Sequence, residues 1–208
     1  RALIRTESSE ITLTDAALSS FISPALTAQY KARISLREAD RILKLVNFEH
    51  RGTLELTGSG RFASPSDYET TGTARGAGLQ YGPVKSLAAE ARYAATPDRI
   101  DFTALRISTL GGYITGIADI REFEVFHTRG TLDHFNANDL AALAGQPELP
   151  YNGFLSGTFE ASGQVSEPQL HRIEATANLA IAPVSLDHPL RGQLKAHYNG
   201  VANTVELG

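Results

Sequence analysis

The sequence predicts a mainly β fold: an elongated, curled antiparallel sheet carrying two short helices, one in each of two repeat units. Three observations predict it. A phrase, Gly52-Thr53-Leu54-Glu55-Leu56-Thr57-Gly58, returns as Gly157-Thr158-Phe159-Glu160-Ala161-Ser162-Gly163, 105 residues further on. Around both copies, short runs alternate apolar and polar residues, the period of a strand with one buried face. Only twice does the period lengthen to that of a helix, each time shortly before the glycine phrase.

The flanks extend the repeat. Phe62-Ala63-Ser64-Pro65 is echoed by Val165-Ser166-Glu167-Pro168, Ala91-Arg92-Tyr93 by Ala196-His197-Tyr198, and Ile100-Asp101-Phe102 by Val205-Glu206-Leu207. Thr109 to Thr115, with Gly111-Gly112 at its centre, resembles Thr6 to Thr12, with Ser8-Ser9 there instead. Self-similarity at a fixed period outranks local propensity, so the expected units are 1–107 and 108–208.

Ile11 to Thr14 alternate, and the polar pair Ser8-Ser9 reads as a hairpin turn ahead of them. After a break from Ser19 to Pro24, Tyr30, Ala32, Ile34 and Leu36 mark one face of a half-exposed strand. Leu36, Ala39, Ile42, Leu43 and Val46 then fall three or four apart, which predicts a helix over 36–46. Its counterpart is expected over 136–145, with Asn136 or Asn138 as cap and Gly145 as stop, and Pro147 and Pro150 beyond. Turns are expected at Ser64-Pro65-Ser66-Asp67, Thr96-Pro97-Asp98, Gly111-Gly112 and Ser166-Glu167-Pro168. Tyr68 to Gly78, small and polar, reads as a weak edge-like strand. Leu87 to Tyr93, Ile100 to Ile107, Tyr113 to Ile120, Ala175 to Ile181 (closed by Pro183) and Leu194 to Tyr198 complete the strands. Continuous apolar strands with many helices are missing, which argues against a parallel βαβ fold.

Composition narrows the function. The net charge is −4 and there is no basic run, which argues against a nucleic-acid surface. No apolar run reaches the roughly 18 residues needed to cross a bilayer. Cysteine is absent, which removes disulfides and thiolate chemistry. There is no Met, the chain starts at Arg1 and a strand-like phrase runs to its last residues, so a piece of a longer protein is expected.

The residue types that carry chemistry form no reactive constellation in the sequence. The six histidines, His50, His127, His134, His171, His188 and His197, include no helical i, i+4 pair; Asp133-His134 and the His127–His134 spacing fit solvated strand positions. Gly58-Ser59-Gly60-Arg61-Phe62-Ala63 matches a dinucleotide fingerprint, but a Ser-Pro-Ser turn follows where a helix must begin. In Gly153-Phe154-Leu155-Ser156-Gly157 the serine stands one place late for a nucleophile elbow. Glu55 and Glu160 recur at equivalent outward positions and read as a solvated face. No catalytic residue, metal site or cofactor is expected.

An antiparallel sheet with one apolar face must fold on itself, stack on another sheet or line something apolar. The inward positions mix Leu, Ile and Phe with many Ala and Gly. Small residues there either leave room for a ligand or let the sheet bend, and both readings stand. An outer-membrane barrel would need aromatic girdles, which the scattered Tyr and Phe do not form.

The glycine phrase, the proline turn, alternating strands ending in Ala-x-Tyr, the Gly-Gly hairpin and the helix from Asp139 to Leu143 together resemble the TamB and AsmA-like superfamily. The resemblance rests chiefly on Gly52 to Gly60, Gly153 to Val165, Leu110 to Gly116 and Asp139 to Leu143. It implies a segment of an inner-membrane-anchored envelope protein, lying in the periplasm of a Gram-negative-type envelope. There, strands curl into a β-taco, or repeating β-groove, that carries phospholipid acyl chains between membranes and supports outer-membrane biogenesis. It further implies an outer-membrane barrel partner (TamA-like), reached through the parent protein. No catalytic residue transfers. The expected groove lining, mapped by alternation, is Leu54, Leu56, Leu79, Tyr81, Ala91, Tyr93, Ile100, Phe102, Phe159, Ala161, Leu179, Ile181, Leu194, Ala196 and Tyr198. The rival expectation is a structural β-solenoid spacer or adhesin-like repeat with a filled core and no ligand.

Overall fold

The computed structural model describes residues 1–20, 22–43, 51–81, 84–143, 147, 152–164, 172–184, 191–202 and 204–208, with the side chains of 40, 42, 43, 81, 85, 143 and 207 outside the description. In chain order the elements are β1 (Ala2–Arg5), β2 (Glu10–Leu18), β3 (Leu26–Ser35), α1 (Leu36–Leu43), β4 (Arg51–Ser64), β5 (Asp67–Tyr81), β6 (Val84–Thr96) and β7 (Arg99–Thr109). There follow β8 (Gly112–Arg121), β9 (Val125–Asn136), α2 (Ala137–Leu143), β10 (Gly153–Gln164), β11 (Glu174–Pro183), β12 (Gly192–Asn199) and β13 (Thr204–Leu207). The strands form one 13-stranded antiparallel sheet in which every strand pairs with its neighbours in sequence, and the sheet does not close into a barrel. The mainly β class with two short helices is therefore as expected. The chain divides into two units, Arg1–Ala104 and Leu105–Gly208, with the boundary inside β7. The first glycine phrase begins at the second residue of β4 and the second lies further along β10, each strand following the helix of its unit.

Local chemistry sets the element ends. Asn136 caps α2: its side-chain oxygen accepts from the backbone N–H of Asn138 at 2.9 Å and of Asp139 at 3.3 Å, satisfying donors that the first helical turn leaves open. The expected stop, Gly145, lies outside the described residues, as do residues 44–46 and the turn at Ser166-Glu167-Pro168. The turns at Pro65-Ser66 and Pro97-Asp98 stand where composition placed them.

Three expectations are corrected. The β7–β8 turn is centred on Leu110 (φ 50°) and Gly111 (φ 73°), not on Gly111-Gly112. Gly112 is already in β8 and buried; a Cβ there would stand 2.8 Å from the Phe135 ring, so this glycine serves packing rather than the turn. The equivalent bend in the β1–β2 hairpin likewise falls at Glu7-Ser8, one residue before the expected pair. Residues 68–78 are not an edge. They lie within β5, paired with β4 on one side and β6 on the other. Their smallness belongs to the inner face, where Gly72, Ala74 and Gly76 lie opposite Gly58, Leu56 and Leu54.

The outer face of unit 1 carries a row of alternating charge. Arg5 pairs with Glu10, Glu10 with Arg33, Arg33 with Glu55, Glu55 with Arg75 and Arg75 with Glu90, across β1 to β6. Opposite charges on directly opposed residues favour this register over a slipped one. Glu160 of unit 2 likewise faces Arg129. The two repeated glutamates therefore belong to a solvated, charge-paired face.

Helix α1 is fastened to the β1–β2 turn by the Glu38 carboxylate and, on the exposed side, by Arg41, which donates to Glu7 at 3.0 Å. Glu38, only 6% exposed, accepts from the Ser9 hydroxyl at 2.6 Å and from the Ser8 backbone N–H at 3.2 Å. The Ser9 hydroxyl in turn accepts from the Ser35 N–H at 3.1 Å, where β3 becomes α1. These hydrogen bonds, the Ser9 one foremost, hold the Glu38 pKa below its ordinary value.

Candidate functional site: an apolar trough with a hydroxyl clasp

The inner face of unit 1 is built from aligned rows. Ile34, Leu54, Gly76 and Ala89 form one; Ala32, Leu56, Ala74 and Ala91 form the next; Tyr30, Gly58, Gly72 and Tyr93 form a third. Of these, Ala32 and Ala91 are buried to 4% and 5% exposure, while Leu54, Leu56 and Tyr93 remain half-buried. Among the described residues, no large side chain is fully buried anywhere. Of these rows Tyr30, Ala32, Ile34, Leu56 and Tyr93 line an open cavity of about 430 Å³, with Ile11, Leu13, Leu26 and Phe62 along it. That volume lies in the range of small-molecule sites, roughly 300–1,000 Å³.

The third row is the least expected. Tyr30 and Tyr93 are 63 residues apart in sequence and are separated in the sheet by two glycines. A Cβ on Gly58 would stand 2.6 Å from the Tyr30 hydroxyl and 2.2 Å from the Thr71 carbonyl oxygen. One on Gly72 would stand 2.3 Å from the Thr57 carbonyl oxygen. Only glycine lets the two backbones approach this closely with an aromatic side chain across them. Above the glycines the two phenol oxygens meet, and Tyr30 also reaches the Thr70 hydroxyl at 2.6 Å.

One arrangement gives every proton an acceptor. Thr70 donates to the Ser59 carbonyl at 3.1 Å, so Tyr30 donates to Thr70 and Tyr93 donates to Tyr30. All three O–H groups are thereby satisfied inside an apolar wall. Burial, followed by the Tyr30 contact, pushes the Tyr93 phenol well above its ordinary pKa, so this hydroxyl keeps its proton to donate. Arg61 and Glu69 bring charge to the lining, and Arg61 meets Asp67 at 2.7 and 3.2 Å. That hydrogen bond raises the arginine's pKa and lowers the aspartate's.

The expected lining divides as follows. Leu54, Leu56, Ala91 and Tyr93 share the inner face of unit 1, and Leu79 joins them opposite Leu87 after a bulge at Gly78 (φ 61°). Tyr81 pairs with Val84 through its backbone, and its side chain lies outside the description. Ile100 and Phe102 are half-buried on β7. In unit 2, Phe159, Ala161, Leu179, Ile181, Leu194, Ala196 and Tyr198 are all half-buried, and β11 aligns Ala177 with both Phe159 and Ala196. Unit 2 differs at the end nearest its helix. There Phe135, Ala137 and Leu155 are buried, and Leu110, Ile114, Leu132, Leu140, Leu179 and Ile181 pack against them. Sequence reasoning missed Phe135, because a bulge at His134 (φ 61°) turns it onto the inner face out of phase with Leu132. It also missed Tyr30 as a partner of Tyr93. The alternation that marked each tyrosine's face was legible; the register joining them was not.

The residues considered for chemistry do not assemble a reaction centre among the described residues. Ser156 donates to Asp133 at 2.6 Å and accepts from the backbone N–H of His134 at 3.0 Å, while the His134 ring stacks on Phe154. The serine proton is thus held by a carboxylate whose pKa is lowered by Ser156 and then by Tyr113, a poor base for activating it. The Gly58–Ala63 phrase is mid-strand in β4, with no helix N-terminus to meet a phosphate. Among the described residues no cluster of His, Asp or Glu has a metal-ligand geometry. His50, His171 and His188 lie outside the description. Among the described residues no helix is long and apolar enough to span a membrane.

Fold and site together define an open antiparallel meander with a charged outer face and an apolar inner face. No family model, curated protein or solved structure gives a significant match to the chain.

Proposed function

We propose that the inner face of unit 1 binds lipid acyl chains, and that the chain is a non-enzymatic, periplasmic segment of a TamB/AsmA-like protein moving phospholipid between inner and outer membranes. The observation that carries this reading is the open trough itself, whose lining leucines and isoleucines stay half-buried. Each methylene moved from water into such a wall contributes about 0.8 kcal/mol. Apart from Arg61 and Glu69 the lining carries no charged side chain, and the clasp hydroxyls satisfy one another. A chain could therefore slide without meeting one dominant site, its head group kept in water near the charged rim. In the parent protein an outer-membrane barrel would receive the lipid.

The test is native mass spectrometry of the chain after delipidation and after incubation with phosphatidylethanolamine–phosphatidylglycerol micelles or vesicles. Retained phospholipid, reduced about tenfold by Leu56→Glu, is the expected result. A delipidated chain that takes up none ends the proposal. The rival spacer reading draws on a specific feature: the Phe135–Leu155 cluster under α2 fills its part of unit 2 with the protein's own side chains. That reading expects no lipid uptake and no effect of Leu56→Glu on it.

A further inference from the structure

The charges on the trough of unit 1 gather at one end. Arg61 and Glu69, its two charged lining residues, stand beside Leu26, Phe62 and Tyr68. The other end, at Ile11, Ala32 and Ile34, is apolar. Leu26 begins β3, and the β4–β5 turn follows Phe62 closely, so the charged end is where the strands stop. Phe62 and Tyr68 oppose each other on the inner face; Arg61 and Glu69, the next pair, alternate outward. The pair therefore borders two spaces. One is the apolar trough; the other, a recess of about 400 Å³, lies on the outer face among Asp15, Thr27, Gln29, Ser59 and Thr71. At such a boundary an amphiphile keeps its head on the polar side, because an unpaired polar group costs free energy against an apolar wall.

The balance of charge at this end is negative. Arg61 is taken up by Asp67 in a two-point pair at 2.7 and 3.2 Å. Glu69 opposes Arg61 across the strands, yet neither it nor Asp15 makes an ion pair among the described residues. One guanidinium against three carboxylates leaves an excess of negative charge. We propose that the trough selects amphiphiles whose head group carries an amine, a phosphoethanolamine rather than a head group of net negative charge, with the ammonium at Glu69 and the acyl chain running from Leu26 toward Ile34. This inference rests on the reading that the trough binds acyl chains and adds what chooses among them. At about 3.3 Å per residue the trough from Leu26 to Ile34 is about 27 Å long, ample for a chain that spans one leaflet, about 15 Å. A zwitterionic head brings its own cation to the carboxylates. A phosphoglycerol head brings the same phosphate without one, and like charges brought together cost affinity.

Native mass spectrometry tests it on the delipidated 208-residue chain, incubated with equimolar dioleoyl-phosphatidylethanolamine and dioleoyl-phosphatidylglycerol. The two lipids share their acyl chains, so a difference in retention reports the head group. Salt at about 0.15 M screens charges more than about 8 Å from it. The ethanolamine lipid should be retained about fivefold or more over the glycerol lipid. Glu69→Gln should lower that preference about threefold with total lipid unchanged, and Glu69→Lys should turn it toward the glycerol lipid. Glu124→Gln, the same change of net charge in the exposed β8–β9 turn, should keep the wild-type preference. Far-UV circular dichroism checks that each variant folds; if Glu69→Lys does not, Glu69→Gln decides. Retention of both lipids without preference, a preference unchanged by Glu69→Gln, or an equal loss in Glu124→Gln would each overturn this inference and leave acyl-chain binding in place. Uptake of neither lipid would overturn both.

Discussion

Tyr30 and Tyr93 have the same side chain but different parts in the clasp. Tyr30 is in the middle of the donor chain, accepting from Tyr93 and donating to Thr70; Tyr93 is at its start and only donates. Tyr93→Phe removes one donor and leaves Tyr30 with a vacant lone pair, a small loss of about 0.5–1 kcal/mol. Tyr30→Phe leaves the Tyr93 proton without its acceptor and Thr70 without its donor. That should cost about 1–3 kcal/mol, because a buried donor left unmade is the expensive case. Urea denaturation monitored by circular dichroism should give a lower midpoint for Tyr30→Phe than for Tyr93→Phe; equal midpoints would contradict the direction of the chain. The sequence marked Tyr93 as inward from alternation alone. It could not reveal the clasp, because that depends on how two strands joined through several others align, and on glycines at 58 and 72 thin enough to be crossed. Phe135 over Gly112 and Phe126 near Gly163 repeat this use of glycine in unit 2.

At the level of elements, helix starts were legible and strand phase was not. Leu36 opens α1 where the apolar spacing changes, and Asn136 caps α2 by the hydrogen bonds its residue type favours. Bulges, by contrast, have no composition of their own here. Asp15, Ser86, Ala104 and His134 take positive φ, and β7 accordingly passes from half-buried even positions, 100 and 102, to half-buried odd ones, 105, 107 and 109. Strict alternation carries a face assignment only as far as the next bulge. The junction of α1 with the β1–β2 hairpin depends on ionised Glu38. Its folded pKa lies below the ordinary 4.5, so the carboxylate's contribution is complete above that value and is lost as pH falls through the lowered folded one. Hydrogen exchange in β1 and β2 should therefore accelerate on acidification into that window, relative to β11 and β12. Glu38→Gln should show the faster exchange already at neutral pH and respond less to acid. Uniform acceleration across all strands would show that this carboxylate is not the fastening.

For the molecule as a whole, the two faces of the sheet do different work. Each glycine phrase falls in the strand that follows its unit's helix, β4 and β10. How far the inner face is filled was not legible: Ala and Gly inward fit an open trough and tight bending equally, and unit 1 shows an open cavity together with close backbone approach at Gly58 and Gly72. With so little fully buried, burial alone specifies register weakly, and the outer charges take a share. The row from Arg5 to Glu90 opposes unlike charges at each step. Glu55→Arg would set three arginines, at 33, 55 and 75, side by side. The groups are exposed, so the loss should total only about 1 kcal/mol, read as a lower urea midpoint. Its salt dependence separates charge from packing: the difference from wild type should shrink as the Debye length falls from about 10 Å at 0.1 M salt to about 3 Å at 1 M. Adding Arg33→Glu and Arg75→Glu to Glu55→Arg should bring back part of the midpoint only if those neighbours act through position 55. In the triple variant the new carboxylates at positions 33 and 75 oppose Glu10 and Glu90, so full recovery is not expected. A deficit that persists undiminished in 1 M salt would mean that shape, rather than the alternation of charge, holds these strands in step.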